Sequence, residues 1–499
     1  MRSSFTVNPA KKYYYLYLQH SLERRRDYEL NKHDMANQSV GLLLLQLSFP
    51  PMLGMVIYSM FSIIDTFFVA KLGSAALAAL TITIPIQVLI ISLASATGIG
   101  LTSLIARTLG SGNVKLADNI AWHGIILSIC YGIIFAYIGN HYMDDLLIIF
   151  GCTSDTFYLS REFLQIILTG CIFTFIPMNL GNIIQGEGNT FLPILVSLFG
   201  MGLNVLFDPI FIFGLGSLPG YGLKGAAMAT VCAQIINTCI IIIIVVRRRD
   251  QLTWSFKRFR PSLSVIYGIY KVGIPTMIIE LAGVVLMGFL NRILAGFSYT
   301  AIAALGIFLR VRSLIYMPVY GLQQGTMPIA GFAYGAGNPD RVKEVLIKAS
   351  VLSLVYMSII CFILHQYPTW IVDFFSDDPA LTIMGVTALK LATLTFPLMG
   401  PLHILYTVLQ ALGKGTTAMF LSIARQIIFF LPLLLILPKY LNLNGVWLSF
   451  SVSELLCTIL ALGALIHLWR ELQTKNKLAV LLLFQRGYFI RRFMAWLRW

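Results

Sequence analysis

The tetrapeptide GSGN, residues 110–113, closes a long apolar run and returns as GAGN at residues 335–338, 225 positions later. The same shift carries Pro50 onto Pro275, ALAAL (76–80) onto AIAAL (301–305), Gly100 onto Gly325, and Gln185 and Gly188 onto Gln410 and Gly413. No gap is needed across that stretch, so the chain is a tandem repeat of two large units. Runs of roughly 20 apolar residues, the length an α-helix needs to cross a bilayer, recur through both. Twelve can be drawn: 42–69, 76–106, 116–138, 162–186, 191–214, 223–246, 266–293, 301–334, 342–364, 384–410, 416–438 and 445–468. Six per unit is an even number, so the second unit keeps the orientation of the first. That implies a pseudo-two-fold axis along the membrane normal and a cavity between two lobes. The expected fold is all-α and integral to the membrane. A cytoplasmic tail (1–41) leads to a six-helix lobe (42–246), a basic linker (247–264), a second six-helix lobe (265–468) and a basic amphipathic tail (469–499).

Composition points the same way. Of 499 residues, 58% are hydrophobic and 11% charged, with a mean hydropathy of +0.81, whereas a soluble domain carries about 25% charged residues. The net charge of +15 reads as topology rather than as a nucleic-acid footprint. Most Lys and Arg lie in the tails and the even-numbered loops, and Lys71, Arg161, Lys224 and Lys439 fall in odd-numbered ones. The positive-inside rule then places both termini and the linker in the cytoplasm of a cell that carries the chain in its inner or plasma membrane. The seven cysteines form no CxxC and the seven histidines no metal-spaced cluster, so neither a metal nor a cofactor is expected. No cleavable signal precedes the first span, and translation can start at Met1 or Met35. Residues 478–499, aliphatic and aromatic with interspersed arginines, read as an interfacial helix on the inner leaflet.

Charges inside the spans carry the functional reading. No G-x-x-x-x-G-K-[ST] occurs, ALGKGT being too short, so an ion gradient is the expected energy source and no enzymatic activity is expected. A carboxylate at membrane depth costs on the order of 2.5–3.5 kcal/mol. Asp65 in span one and Asp208 in span five lie at similar depth, with Asn204 one turn before Asp208 on the same face. The repeat supplies an internal control: Asp65 falls on Leu290, and Asp208 on Leu431 or Leu433. A scaffold requirement would appear in both lobes, so a shared cation or proton site is expected over helix-end carboxylates that snorkel to the surface. Glu280 in span seven is a candidate second ion or substrate carboxylate, against a structural pairing. Arg310, Arg312, Lys390 and Arg425 give the second lobe a positive interior, and Met287 is a candidate for an adaptable apolar wall.

Several segments together resemble the multidrug and toxic compound extrusion (MATE) family. They are IIDTFFVAKLG in span one, QGEGN after span four, NVLFDPIFIFGLG in span five, GLKGAAMAT opening span six, QQGTMPIAGFAYGAGNPDRV after span eight and RQIIFFLPLLLILP in span eleven. The likeness runs from about residue 42 to 468, and spans seven to eight are most similar to the bacterial DinF and MepA-like branch. The resemblance implies a cation-coupled antiporter of amphiphilic, often cationic compounds. It also implies that Asp65, Asn204 and Asp208 hold the coupling ion, with Asn179 and Asn182 as a neighbouring polar pair and Thr230 as a nearby hydroxyl. Span one is expected to bend at Pro50, where Pro51 makes a double break. The expected function is alternating-access export of lipophilic small molecules in exchange for H+ or Na+, by a monomer whose other partner is the lipid bilayer. The alternative is a flippase for lipid-linked saccharides or another anionic amphiphile. A passive channel or receptor would leave the lobe asymmetry unexplained.

Overall fold

A computed structural model describes residues 35–216, 218–247, 251–376 and 378–496, with side chains to residue 474 except those of 62, 218 and 258. The tail before Met35 and the side chains of the expected interfacial segment 478–499 lie outside the described residues. The first lobe contains α1 (Val40–Ala70), α2 (Ser74–Gly110), α3 (Val114–His141), a short α4 (Met143–Ile149), α5 (Ser154–Gly170), α6 (Ile172–Gly186), α7 (Phe191–Phe213) and α8 (Leu223–Arg247). A small antiparallel ribbon, β1 (Gly214–Leu215) with β2 (Leu218–Pro219), joins α7 to α8. The second lobe repeats the pattern with α9 (Leu263–Ala295), α10 (Tyr299–Gly335), α11 (Pro339–Gln366), a short α12 (Pro368–Asp373), α13 (Pro379–Ala392), α14 (Phe396–Ala411), α15 (Gly415–Ile423), a π-helical turn (Ala424–Phe430) and α16 (Leu431–Trp496). The repeat extends to detail. Met143 of α4 falls on Pro368 of α12, and the α5–α6 pair, bent by 47°, matches the α13–α14 pair, bent by 53°.

Among the described residues nine helices are long and apolar enough to span a membrane, and the two bent pairs raise the number to eleven. The last of these, Gly415–Thr474, has 60 residues, about 90 Å at 1.5 Å per residue, against a hydrocarbon core of about 30 Å. It breaks at Asn442 (φ 50°), and asparagine is among the residues that tolerate positive φ. The chain doubles back there: a Cβ on Gly445 would stand 2.4 Å from the Leu437 carbonyl. Read as two crossings, this helix completes twelve, six per lobe.

Backbone geometry explains the GSGN and GAGN tetrapeptides. Gly112 and Gly337 take φ of 80° and 69°, the left-handed region where a side chain is disfavoured. The Asn113 side chain accepts from the Leu116 N–H (3.1 Å) and that of Asn338 from the Arg341 N–H (3.0 Å), capping α3 and α11. Gly110 and Gly335 lie where the lobes touch. A Cβ on Gly110 would sit 2.2 Å from the Phe332 carbonyl oxygen, and one on Gly335 2.0 Å from that of Arg107. Arg107 and Phe332 are themselves 225 residues apart, so the two contacts are mates across the pseudo-two-fold.

The first helix of each lobe begins inside the other lobe. Val40, Leu43 and Leu44 of α1 are buried with Leu322, Ile404 and Leu409 of the second lobe. Their repeat mates Val265 and Ile269 of α9 are buried with Leu101, Ile105 and Ile183 of the first. The linker is not a free tether. The buried Asp118 of α3 accepts from the Thr253 N–H (2.8 Å) and hydroxyl (2.5 Å), and His123 Nε2 accepts from the Ser262 N–H (3.0 Å).

Candidate functional site

The site begins at the prolines of α1. The helix runs on through Pro50 and Pro51 without the break expected from two missing donors. Pro51 cannot bond the carbonyl four residues back, that of Leu47, and the Thr190 hydroxyl takes that acceptor at 2.6 Å. The freed Leu47 carbonyl is therefore satisfied by the α6–α7 loop. On one side of the prolines α1 packs in the second lobe. On the other its far end packs in the first, where Val69 is buried with Ile212 and Leu223.

That far end carries Asp65. Its carboxyl faces that of Asp208 on α7. Asp208 is fully buried and Asp65 partly so. Asn204 Nδ2 donates to Asp208 Oδ1 (3.3 Å) and to Thr230 Oγ1 (3.4 Å), and the Thr230 hydroxyl donates to the Ala226 carbonyl (3.0 Å). Four of the residues singled out in the sequence thus meet, from three helices. Asp208 Oδ2 is buried with no hydrogen-bond partner among the described residues.

Asn179 and Asn182 make their described contacts elsewhere. Asn179, 1% exposed, donates to Ser128 Oγ of α3 (2.7 Å), while its Oδ1 is buried without a partner among the described residues. Asn182 donates to the Met178 carbonyl (2.8 Å) and its Oδ1 accepts from Thr102 Oγ1 (3.2 Å). It lies against Gly98, where a Cβ would come within 2.4 Å of its Nδ2. Both asparagines join α6 to its neighbours within the first lobe.

Glu280 accepts from the Ser95 hydroxyl at 2.8 Å, a hydrogen bond from one lobe to the other. Its pairing is with a hydroxyl rather than an arginine. Of the four basic residues, Arg425 pairs with Glu454 (3.5 Å), whereas Arg310 and Lys390 are exposed. Arg312, about 200° further round α10 from Arg310, opens with Met287 onto a cavity in the second lobe. Sequence reasoning missed Ser95 and Thr190. Small hydroxyl residues are common in membrane helices, and their roles arise from residues 185 and 143 positions away in sequence.

The inter-lobe contacts gather toward one membrane face. Besides the Gly110 and Gly335 contacts, Ser48 Oγ donates to the Leu322 carbonyl (3.4 Å), Ser103 Oγ to that of Gln410 (2.6 Å) and Gln185 Nε2 to that of Gln324 (2.7 Å). These residues occupy the first half of α1, the last half of α2 and α10, and the ends of α6 and α14. They share the face reached by the linker. Asp65 lies toward the opposite face.

Residues 50–210 and 275–436 match the family model described as MatE. The chain is 27% identical over 433 residues to "Multidrug export protein MepA" of Staphylococcus haemolyticus, covering 85% of this chain and 93% of that protein. It is 26% identical over 434 residues to "FAD transporter" of Shewanella oneidensis, covering 86% and 95%. Among solved structures, an outward-facing multidrug resistance MATE family transporter of the MOP superfamily superposes with a TM-score of 0.83 at 24% identity, over 89% of this chain and 98% of that one. A MOP superfamily transporter from Pyrococcus furiosus does so at 0.82 and 24%, with the same coverage. At that identity these two describe the fold.

Proposed function

Since the chain belongs to the MatE family, we propose that it is a secondary antiporter, not an enzyme, that exports amphiphilic and predominantly cationic small molecules in exchange for H+ or Na+ by alternating access. The observation that carries this reading is the facing pair Asp65 and Asp208, with one Asp208 oxygen buried and lacking a donor. Two carboxylates in a poorly hydrated cleft cannot comfortably both ionise. A proton shared between them, or a Na+ held by them with the Asn204 side-chain oxygen, relieves that cost. The name of the MepA relative supports drug export.

Alternating access then follows from the course of α1. Its first turns belong to the second lobe and its last turns bring Asp65 to Asp208 in the first, with Pro50 and Pro51 between. When the ion neutralises the pair, a cationic substrate loses its electrostatic partner. The neutral end of α1 can then repack, bending where the backbone already lacks two donors. With the linker and termini in the cytoplasm, the sealed face is the inner one and the present state opens outward. The lipid bilayer and the lipophilic substrate are the partners, the working unit is a monomer, and the coupling ion takes the place of a cofactor.

Efflux of ethidium from proteoliposomes, with and without an imposed H+ or Na+ gradient, tests this. The wild type should pump only with the gradient. Asp65→Asn and Asp208→Asn should each abolish gradient-driven efflux at near-normal expression, because Asn keeps the shape and loses the titration. Leu431→Ala, altering a counterpart position in the twin lobe, should leave coupling intact. Pumping by either Asn variant would place coupling elsewhere, with Glu280 the next candidate.

A further inference from the structure

The operation that carries α1 onto α9 also carries Asp65 onto the wall of a cavity. Asp65 falls on Leu290, and Asp208 falls one or three residues past Phe430. Leu290 and Phe430 both line a cavity of about 240 Å³ inside the second lobe. Where the first lobe holds two carboxylates, this cavity holds two guanidinium groups, Arg312 from α10 and Arg425 from the π-helical turn. Glu454 offsets one of them, its Oε2 lying 3.5 Å from Arg425 Nη1. Arg312 has neither a hydrogen bond nor an ion pair among the described residues, so one positive charge stays uncompensated. The Arg425–Glu454 pairing is itself incomplete, for Arg425 Nε and Glu454 Oε1 are buried without partners among the described residues. Orphaned groups of this kind are rare in native interiors and call for an occupant. Phe308, Phe396, Phe430 and Phe450 supply aromatic wall. The π-helical turn brings Arg425, Gln426 and Phe430 to the same space, a use such turns often have at binding sites.

We propose that this cavity binds a small aromatic monoanion, its carboxylate held by Arg312 beside Arg425 and its ring packed among Phe308, Phe430 and Phe450. A guanidinium fork meets a carboxylate with two parallel hydrogen bonds. The single uncompensated charge selects a monoanion, because a dianionic phosphate would leave a buried negative charge unpaired. The volume, below the roughly 300–1,000 Å³ of drug-sized pockets, suits one or two fused rings. The site is separate from the ion site of the first lobe. It also stands apart from the export reading, because equilibrium binding requires no gradient.

Isothermal titration calorimetry on the purified full-length protein in detergent, with naphthoate as probe and naphthylmethylammonium as the matched cation, decides the matter. Naphthoate should bind saturably and the cation should not. Arg312→Gln should weaken naphthoate by about tenfold or more, while Lys390→Gln, removing a positive charge of the same lobe outside the cavity, should bind like wild type. Gly283→Leu keeps the test decisive if Arg312→Gln fails to fold. Gly283 faces the cavity beside Gln426, and the added side chain should fill it and abolish binding. No saturable binding by the wild type, equal binding of the cation, or unchanged binding in Arg312→Gln or in Gly283→Leu would overturn the proposal.

Discussion

Gly110 and Gly335 carry a constraint that no other residue type can meet, because each faces a backbone carbonyl of the opposite lobe rather than a side chain able to rotate away. Gly335→Ala would put a methyl group 2.0 Å from the Arg107 carbonyl oxygen, so the lobes must part. Spin labels at the exposed repeat mates 111 and 336 should report a longer inter-lobe distance in this variant, with transport lost. The nearby Gly337 makes a sharp contrast. A Cβ there meets nothing within 4 Å, but its φ is 69°. Gly337→Ala should therefore cost about 1–2 kcal/mol of stability through backbone strain and leave the label distance unchanged. Equal distances in wild type and Gly335→Ala would show that the contact does not hold the seal.

At the scale of the element, α1 is a helix with a proline pair whose lost hydrogen bond is replaced from outside. Thr190→Val removes the donor to the Leu47 carbonyl. Leaving a buried acceptor unsatisfied should lower stability by about 1–3 kcal/mol, read as a fall in thermal unfolding midpoint in detergent. In a Pro51→Ala background the restored backbone N–H can reach the same carbonyl, and the effect of Thr190→Val should largely vanish. The two substitutions are thus predicted to be non-additive, as expected for groups that share one partner. Strict additivity would mean that Thr190 acts through packing alone. Pro51→Ala should also stiffen α1 between its two anchorages, slowing turnover more than binding.

At the scale of the whole molecule, two six-helix lobes are joined by the exchanged starts of α1 and α9 and by a linker strapped to α3. The orientation proposed for this assembly is testable with single cysteines on a cysteine-free background in intact cells. Positions within 140–160 and 365–383 should react with an impermeant reagent, and position 255 should not. Labelling at 255 would invert the assignment, and with it the face on which the lobes are sealed. Because Asp118, Asn119 and His123 grip the linker at Thr253, Arg260 and Ser262, and Val265 and Ile269 are buried in the first lobe, movement between the lobes must be taken up past the opening turns of α9.

The sequence by itself determined the number of crossings, their grouping in two like-oriented lobes, and the asymmetry of the buried charges. All three follow from apolar run length, loop charge and self-similarity at a fixed shift, which are local or one-dimensional signals. It also paired Asn204 with Asp208, which one helical turn suffices to do. The tertiary structure decided what depends on distant segments meeting. Asp65 faces Asp208 from another helix, Thr190 reaches Leu47, and Glu280 takes a hydroxyl of α2 instead of an arginine. The opening turns of α1 and α9 lie in each other's lobes, although chain order alone assigns each to its own. Hydrophobic burial is non-directional, so an apolar helix start records that it is covered and not by what. Only the packed arrangement, with backbones brought together at Gly110 and Gly335, chooses the cover.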